Sequence, residues 1–357
     1  MPDYLVPIAC KTLDILEVFR TPHERLTLQQ IIGRTSIAHT TAFRLLKTLV
    51  HRGYIQYDGA GKLYSLINVH AKPKIGFATL ASDSSFASRI TDSLQLAANA
   101  AGMEVILHSN ERSEKAAVAN ARAMVAERVD VAIEFQRHNH AAPLIADIFR
   151  QAAIPTIAIL IPQPGAIYFG VDNYRAGVTA GQALGNYALK YWGGKFDLLL
   201  LLDLPLGGAV IQSRMTGVIR GVEQILGPVP KECLSRVNGH GTEVESARVA
   251  ALTLKRYPKA RRILVSAVND ESAAGAMLAA GEAGLRGSTA IIGQGGSREI
   301  LPLIEQEGSP FLGTVNFYPE MYGRALVELV FSLMRGEQVS PYQYMPHELL
   351  LGKREDC

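Results

Sequence analysis

Cysteine is scarce in this 357-residue sequence: Cys10, Cys233 and Cys357 lie far apart with no metal-like spacing. A disulfide framework is thereby excluded, and a reducing compartment, the cytoplasm, is the expected home. Long apolar runs are also missing. The greasiest stretch, 198–202, is five residues long, against the roughly 20 a membrane-spanning helix needs. At the amino terminus Asp3 and Asp14 interrupt the apolar residues, so no secretory signal is expected. There is no nucleophile elbow, no P-loop and no recognisable pair of catalytic acids. The string GQGG at 293–296 lacks the rest of a dinucleotide fingerprint and the acid that should follow it, and a tight strand-to-helix turn explains it as well. HNH at 138–140 offers two histidines without a third ligand nearby and reads as a surface loop. The expectation is a protein without metal, cofactor or catalytic centre. An α/β enzyme using a nucleotide cofactor is the competing class.

Apolar residues make up 48 % of the chain, enough to fill two or three domain cores at this length. Charge is unevenly placed. Residues 1–66 hold eight Lys/Arg against five Asp/Glu, an excess of +3, while the remaining 28 basic and 28 acidic residues cancel. Between 26 and 66 the bases Arg34, Arg44, Lys47, Arg52 and Lys62 face one acid, Asp58. A local positive field of this kind attracts a polyanion.

The first 66 residues read as three helices and a two-stranded wing. Leu13, Ile15, Leu16 and Phe19 recur at helical spacing and predict a helix over 8–20. Thr27 and Gln30 form a capping-box pair that opens a second helix, ended by Gly33. Ser36 is the expected cap of a third, whose inward stripe is Ala42, Leu45, Leu46 and Leu49 and which Gly53 stops. The strands YIQY and KLYSL follow, joined by Asp58-Gly59-Ala60-Gly61, residues that tolerate positive φ. On the third helix His39, Thr40, Thr41, Arg44 and Lys47 point outward, with Arg52 at its end and Lys62 on the wing. Such a helix meets what major-groove reading demands: short directional groups for base edges and cations for phosphates. Thr40, Thr41 and Arg44 are expected to face bases or the nearest phosphates, and Lys47, Arg52 and Lys62 to hold the backbone. The stretch from KTLDILEVF through LTLQQIIGRTSIAHTTAFRLLKTLVHRGYIQ to GKLYSL resembles the winged helix-turn-helix of IclR-type transcriptional regulators. The resemblance adds Ser36, in the Ser/Thr-rich start, to the DNA-facing set and implies double-stranded operator DNA as a partner.

After a linker at 67–73 the pattern changes. Apolar strands of four to seven residues alternate with helices at 87–101, 114–127 and 142–153, and the alternation resumes with FDLLLLL, ECLSRV, RRILVS, TAIIG and FLGTV, each but the last followed by an Ala- and Gly-rich helix. Strands buried on both faces with helical crossovers predict a parallel α/β architecture, too long for one small sheet. The strings SDSSF, FGVDNYRAG, QSRMTGVIRGV, VNDESAAGAM and GTVNFYPEMYG resemble the type I periplasmic-binding-protein fold found as the effector domain of lactose-repressor-like regulators. The resemblance implies two lobes (about 74–171 with 318–338, and 172–317 with 339–357), a hinge, a homodimer and a small-molecule effector between the lobes. Arg214, Asn269, Asp172, Asp83, Phe86 and Phe317 are the ligand-binding candidates it places, Asn173 sits beside the lobe crossover, and a guanidinium such as Arg214's grips two oxygens at once. Sugar-binding relatives often carry polar groups where this chain has Leu160, Ile161, Gly295 and Phe317. Hydroxyls left facing apolar walls cost about 1–3 kcal/mol each, so a ligand with an apolar face near Phe317 and Tyr318 is as fair an expectation as a hexose. The whole reads as a ligand-responsive, membrane-independent transcriptional regulator, with repression the commoner mode among such relatives; a DNA-binding protein without effector is the other rival reading.

Overall fold

The computed structural model describes residues 5–19, 24–66 and 72–352, and its contacts divide the chain into two units, 1–72 and 73–357. In the first unit, α1 (Pro7–Glu17) leads to a short β1 (Arg25–Thr27), α2 (Leu28–Thr35), α3 (His39–His51), β2 (Ile55–Asp58) and β3 (Leu63–Leu66). Arg20 and the linker residues 67–71 lie outside the described residues. The core joins Ile15, Ile31, Leu46, Leu49, Ile55 and Tyr64.

The local signals hold in part. Thr27 and Gln30 form the reciprocal capping box, with Thr27 N donating to Gln30 Oε1 at 2.8 Å and Gln30 N to Thr27 Oγ1 at 3.3 Å. Gly33 does not end α2, which runs through it to Thr35; the stop is Ser36, left-handed at φ 56°. Ser36 therefore closes α2 and does not cap α3, whose N-cap is Ala38 without a side-chain bond. Leu13, expected inside, is 54 % exposed. The wing has three strands in the order β1-β3-β2; three residues of β1 are too few to show alternation. In its turn the positive φ falls on Lys62 (51°), not on the glycines, while Asp58 Oδ1 accepts from Ala60 N at 3.0 Å.

The second unit contains two six-stranded sheets. Strands β4 (Lys74–Thr79), β5 (Glu104–Ser109), β6 (Val131–Phe135), β7 (Thr156–Ile159) and β8 (Ile167–Val171) alternate with helices α4 (Ser85–Ala100), α5 (Glu114–Ala126) and α6 (Ala142–Gln151). After α7 (Asn173–Trp192) come β9 (Leu198–Asp203), α8 (Gly208–Leu226), β10 (Leu234–Asn238), α9 (Glu243–Arg256), β11 (Ile263–Ala267), α10 (Asp270–Glu282), β12 (Thr289–Gly295), a short α11 (Leu301–Glu305) and β13 (Phe311–Asn316). The chain closes with α12 (Tyr322–Met334), β14 (Tyr342–Met345) and β15 (Glu348–Leu351). Sheet orders are β14-β8-β7-β6-β4-β5 and β10-β9-β11-β12-β13-β15, parallel except for the β13–β15 pair. All residues of β6, β9 and β12 are buried, as strands covered on both faces should be.

Two expectations change. The helix after β12 is five residues long, not Ala- and Gly-rich, whereas β13, expected to lack one, leads to α12. Of the tail expected in one lobe, 339–357, the described part 339–352 is shared between the two: β14 pairs with β8 of the first sheet and β15 with β13 of the second.

Helices α7 and α8 cross at backbone contact. A Cβ on Gly177 would lie 1.9 Å from the carbonyl oxygen of Arg214, and one on Gly217 would lie 2.1 Å from that of Tyr174. Gly181 and Gly221 repeat the contact one turn on, at 2.1 Å and 2.2 Å from the carbonyls of Val218 and Val178. In the first lobe Glu134 is fully buried; Asn110 Nδ2 donates to its Oε1 at 3.0 Å, and its Oε2 has no partner among the described residues. Burial raises its pKa well above the usual carboxylate value.

Gly177→Ala is expected to destabilise the second unit by about 1–3 kcal/mol or more, since backbone and not a movable side chain blocks the methyl; urea unfolding of the full chain measures it. Because the folded pKa of Glu134 is raised, its stabilising proton is retained below the unfolded value and stability falls as pH climbs from there toward the folded value. Glu134→Gln should therefore gain stability over the parent at pH 7–8 and lose that advantage near pH 4, in unfolding curves recorded across that range.

Candidate nucleic-acid surface and ligand cleft

On α3 the inward positions Ala42, Leu46 and Leu49 are buried, which leaves His39, Thr40, Arg44 and Lys47 exposed and Thr41 half-exposed. Arg52, at the C-cap, and Lys62, in the β2–β3 turn, are exposed as well. Thr40, Arg44 and Lys47 share one face by helical spacing. Ser36 is exposed but sits at the end of α2. Phe43 belongs to the same outer surface, 42 % exposed, and was not expected there, although Ala42 pointing inward already turns its neighbour outward. The Lys47 ammonium lies 5.7 Å from the centroids of both Phe43 and Tyr57, a cation–π arrangement that narrows the directions in which this long side chain projects.

A cleft of about 580 Å³ lies between the two sheets of the second unit, at the carboxyl ends of the strands of both, the position in which parallel sheets offer ligand sites. Its walls are largely apolar. Phe86 of α4 stands edge-on to Phe135, Phe317 and Tyr322, with ring centroids 6.4, 6.3 and 6.1 Å away.

Arg214, on α8, is 4 % exposed and lines this cleft. Its Nε donates to Asn173 Oδ1 at 3.0 Å, its Nη2 to the same oxygen, and its Nη1 to the carbonyl of Val268. The guanidinium lies over the Phe317 ring, 4.9 Å from the centroid. Among the described residues no carboxylate stands within ion-pair distance of it, and burial pushes its pKa down to about 10. Three bonds use three of the five N–H groups a guanidinium carries, so one remains on each terminal nitrogen. Asn173 is held in turn by donating to the Tyr168 hydroxyl at 3.0 Å, and burial drives that phenol's pKa up to about 12.

Asn269 caps α10, accepting from Ser272 N at 3.0 Å, and its amide donates to the carbonyl of Gly241 at 2.9 Å. Next to it, Asp270 is buried and accepts from Thr314 Oγ1 at 2.6 Å and Ser297 N at 2.7 Å; burial still raises its pKa. The GQGG string makes room for this acid, since a Cβ on Gly293 would stand 2.3 Å from Asp270 Oδ1. Gly295 and Gly296 then turn the chain at φ 135° and 76°.

Of the sequence candidates, the cleft brings together Asp83, Phe86, Arg214, Asn269 and Phe317, with Leu160 and Gly295 also in its wall. Asp172 is not among the lining residues. Its carboxylate caps α7, accepting from Arg175 N at 3.0 Å, with the Arg175 side chain 3.5 Å away. Tyr318 is absent from the cleft too, because its hydroxyl turns to Glu348, and Ile161 is buried in the core. His138, expected on the surface, is half-buried and its Nε2 lies 2.7 Å from the carbonyl of Arg112. Sequence reading missed Arg112, Arg137, Gln294 and Tyr322, all of which line the cleft. Gln294 is 1 % exposed, and both polar atoms of its amide are unpartnered among the described residues. No motif announces it, though a glutamine amid the apolar β12 is a signal in itself.

The family model for a periplasmic binding protein domain matches residues 75–338. The chain belongs to that family. Residues 9–59 match the IclR helix-turn-helix domain, so a DNA-binding head precedes the periplasmic-binding-protein domain in one chain. No curated protein matches the sequence. Among solved structures, a solute-binding protein of a Mycobacterium smegmatis ABC transporter with bound glycerol is similar at 20 % identity and a TM-score of 0.69, over 79 % of this chain and 94 % of that one. One from Actinobacillus succinogenes with bound D-allose gives 17 % and 0.67, over 78 % and 97 %. A third, from Bacillus halodurans with bound myo-inositol, gives 20 % and 0.66, over 78 % and 94 %. At these identities the likeness establishes the periplasmic-binding-protein fold. Among the described residues no helix is long and apolar enough to cross a membrane.

Arg214→Ala leaves the oxygens of Asn173 and Val268 without their donors and should lower the stability of the periplasmic-binding-protein domain by about 1–3 kcal/mol, read from denaturant unfolding of the full chain.

Proposed function

We propose that this protein is a transcriptional regulator that reads operator DNA with α3 and the β2–β3 turn and senses a small sugar-like metabolite in the interlobe cleft. The observation that carries the reading is the pairing of an IclR helix-turn-helix domain with a periplasmic-binding-protein domain in one chain. The exposed Thr40, Arg44 and Lys47 on one helix face, with Arg52 and Lys62 beside it, supply hydroxyls for base edges and cations for phosphates. The protein works by binding, in the cytoplasm, as a homodimer whose two reading heads meet two half-sites of a near-palindromic operator. It acts as a repressor. Effector changes DNA affinity only to the extent that it prefers one arrangement of the lobes over the other.

The solved neighbours carry glycerol, D-allose and myo-inositol in their structures, which supports a small polyhydroxy compound here. The aromatic corner of Phe86, Phe317 and Tyr322 favours a compound with one apolar face, the C–H side of a ring, laid against it. Hydroxyls on the other face would meet Arg214 and Gln294.

Genomic pull-down of DNA bound to the full chain, followed by gel-shift titration at fixed salt, tests the reading. Arg44→Ala should weaken binding to the recovered sites, and Lys62→Ala should lower the slope of log affinity against log salt by about one unit. Unchanged affinity for Arg44→Ala would remove α3 from the groove.

A further inference from the structure

One apolar residue stands in the stripe of α3 that is proposed to face the groove. Thr40, Phe43, Arg44 and Lys47 are spaced i, i+3, i+4 and i+7, which makes them one continuous face of the helix. Phe43 is 42 % exposed. It belongs neither to the core of the first unit nor to the apolar residues packed against that core, so its ring is not what holds the unit together.

A single exposed apolar side chain needs no explanation by itself. This one, however, is held in place. The Lys47 ammonium lies 5.7 Å from the centroid of Phe43 and equally far from that of Tyr57 on β2. Tyr57 in turn leans on Tyr64, with ring centroids 4.7 Å apart, and Tyr64 is 4 % exposed in the core. The wing thereby steadies the lysine, and the lysine narrows the positions open to the Phe43 ring. Charge decides what such a ring can meet. Thr40 aside, its companions on the stripe are cations, and the one acid between 26 and 66, Asp58, accepts from Ala60 N at 3.0 Å within its own turn. The surface suits a polyanion that offers an apolar group among its polar ones.

Duplex DNA has one such group in its major groove, the C5-methyl of thymine; the other groups on the base edges there are hydrogen-bond donors and acceptors, which a phenyl ring cannot satisfy. We infer that Phe43 reads thymine through this methyl, so that each operator half-site carries an A·T pair with its thymine opposite Phe43, beside the pairs met by Thr40 and Arg44. The inference rests on the reading that α3 enters the groove, and it adds a preference that the rest of the stripe does not supply. A threonine hydroxyl serves donor and acceptor edges alike, and a cation on phosphate is indifferent to sequence. Wedging between base steps, the other use of an exposed phenyl ring, belongs to minor-groove binders.

The test uses duplexes recovered by the genomic pull-down, with each thymine of a half-site singly replaced by deoxyuridine. That change deletes the methyl and keeps every hydrogen-bonding group. In gel-shift titrations of the full chain at fixed salt, one replacement per half-site should weaken binding about fourfold, the worth of one buried methyl group. Phe43→Ala should lose at least about as much affinity for the thymine duplex and show no further loss with uracil. Its salt slope should stay that of the parent, because no phosphate contact is removed, and its melting curve should match the parent's. Phe43→Leu, which keeps an apolar side chain, should retain part of the uracil penalty; it decides the matter if Phe43→Ala does not fold. A parent indifferent to uracil at every position, or a penalty unchanged in Phe43→Ala, would overturn the inference and leave the regulator reading intact. Failure of the parent to prefer any duplex would remove both.

Discussion

Two helices of the second lobe meet with no side chain between them. Along α7 and α8 the glycines 177, 181, 217 and 221 face one another's carbonyl oxygens, and a methyl group at any of them would force the helices apart. The crossing sets the position of Arg214, whose own carbonyl oxygen is the atom opposite Gly177. Its guanidinium then reaches Asn173 at the start of the partner helix and Val268 at the end of β11. A cation buried this way is held in one orientation by its acceptors, the Asn173 amide oxygen and the Val268 carbonyl, in the wall of the cleft. Preorganisation of this kind reduces the ordering cost that binding would otherwise carry.

Around that cation the cleft combines an aromatic corner with few free polar groups. Asp270 is already satisfied by Thr314 and Ser297, and Asn269 by a helix end and Gly241. These groups hold the loops of the second lobe in shape. Buried polar atoms without a partner among the described residues include both of the Gln294 amide and Arg137 Nε, and such an atom disfavours any occupant that cannot supply a partner. The cleft thus sets a small number of unpartnered polar atoms against hydrophobic walls.

The amino-terminal unit works with different means. Its core is small, and α3 carries on one side the leucines that fix it and on the other the groups that face outward. Phe43 and Tyr57 flank Lys47, so one of the cations is held by rings instead of by an acid. Among the described residues no carboxylate lies within ion-pair distance of its ammonium.

Much of the fold was legible in sequence because its signals are local. Alternating apolar strands and helices gave both sheets, a capping box marked the start of α2, and the helical stripe of α3 placed its outer face. Local signals also misled: Gly33 is a helix breaker by propensity yet sits inside α2 in open space, and Ser36, a capping residue by type, instead takes the left-handed conformation that ends that helix. In the cleft, Arg214, Asn269, Asp83, Phe86 and Phe317 were found from the strings around them. Asp172, in the same kind of string, is consumed by capping α7. What residue order by itself determined was the succession of elements, the basic outer face of α3 and the parallel, doubly covered strands, each fixed by neighbours a few residues away. Only the tertiary structure decided that the glycines of α7 and α8 touch, that Gln294 is left without a partner, and that Arg89, Arg112 and Arg137 reach Gly296, Glu271 and His240 across the cleft. Those contacts join residues tens to hundreds of positions apart, and no periodicity along the chain encodes them.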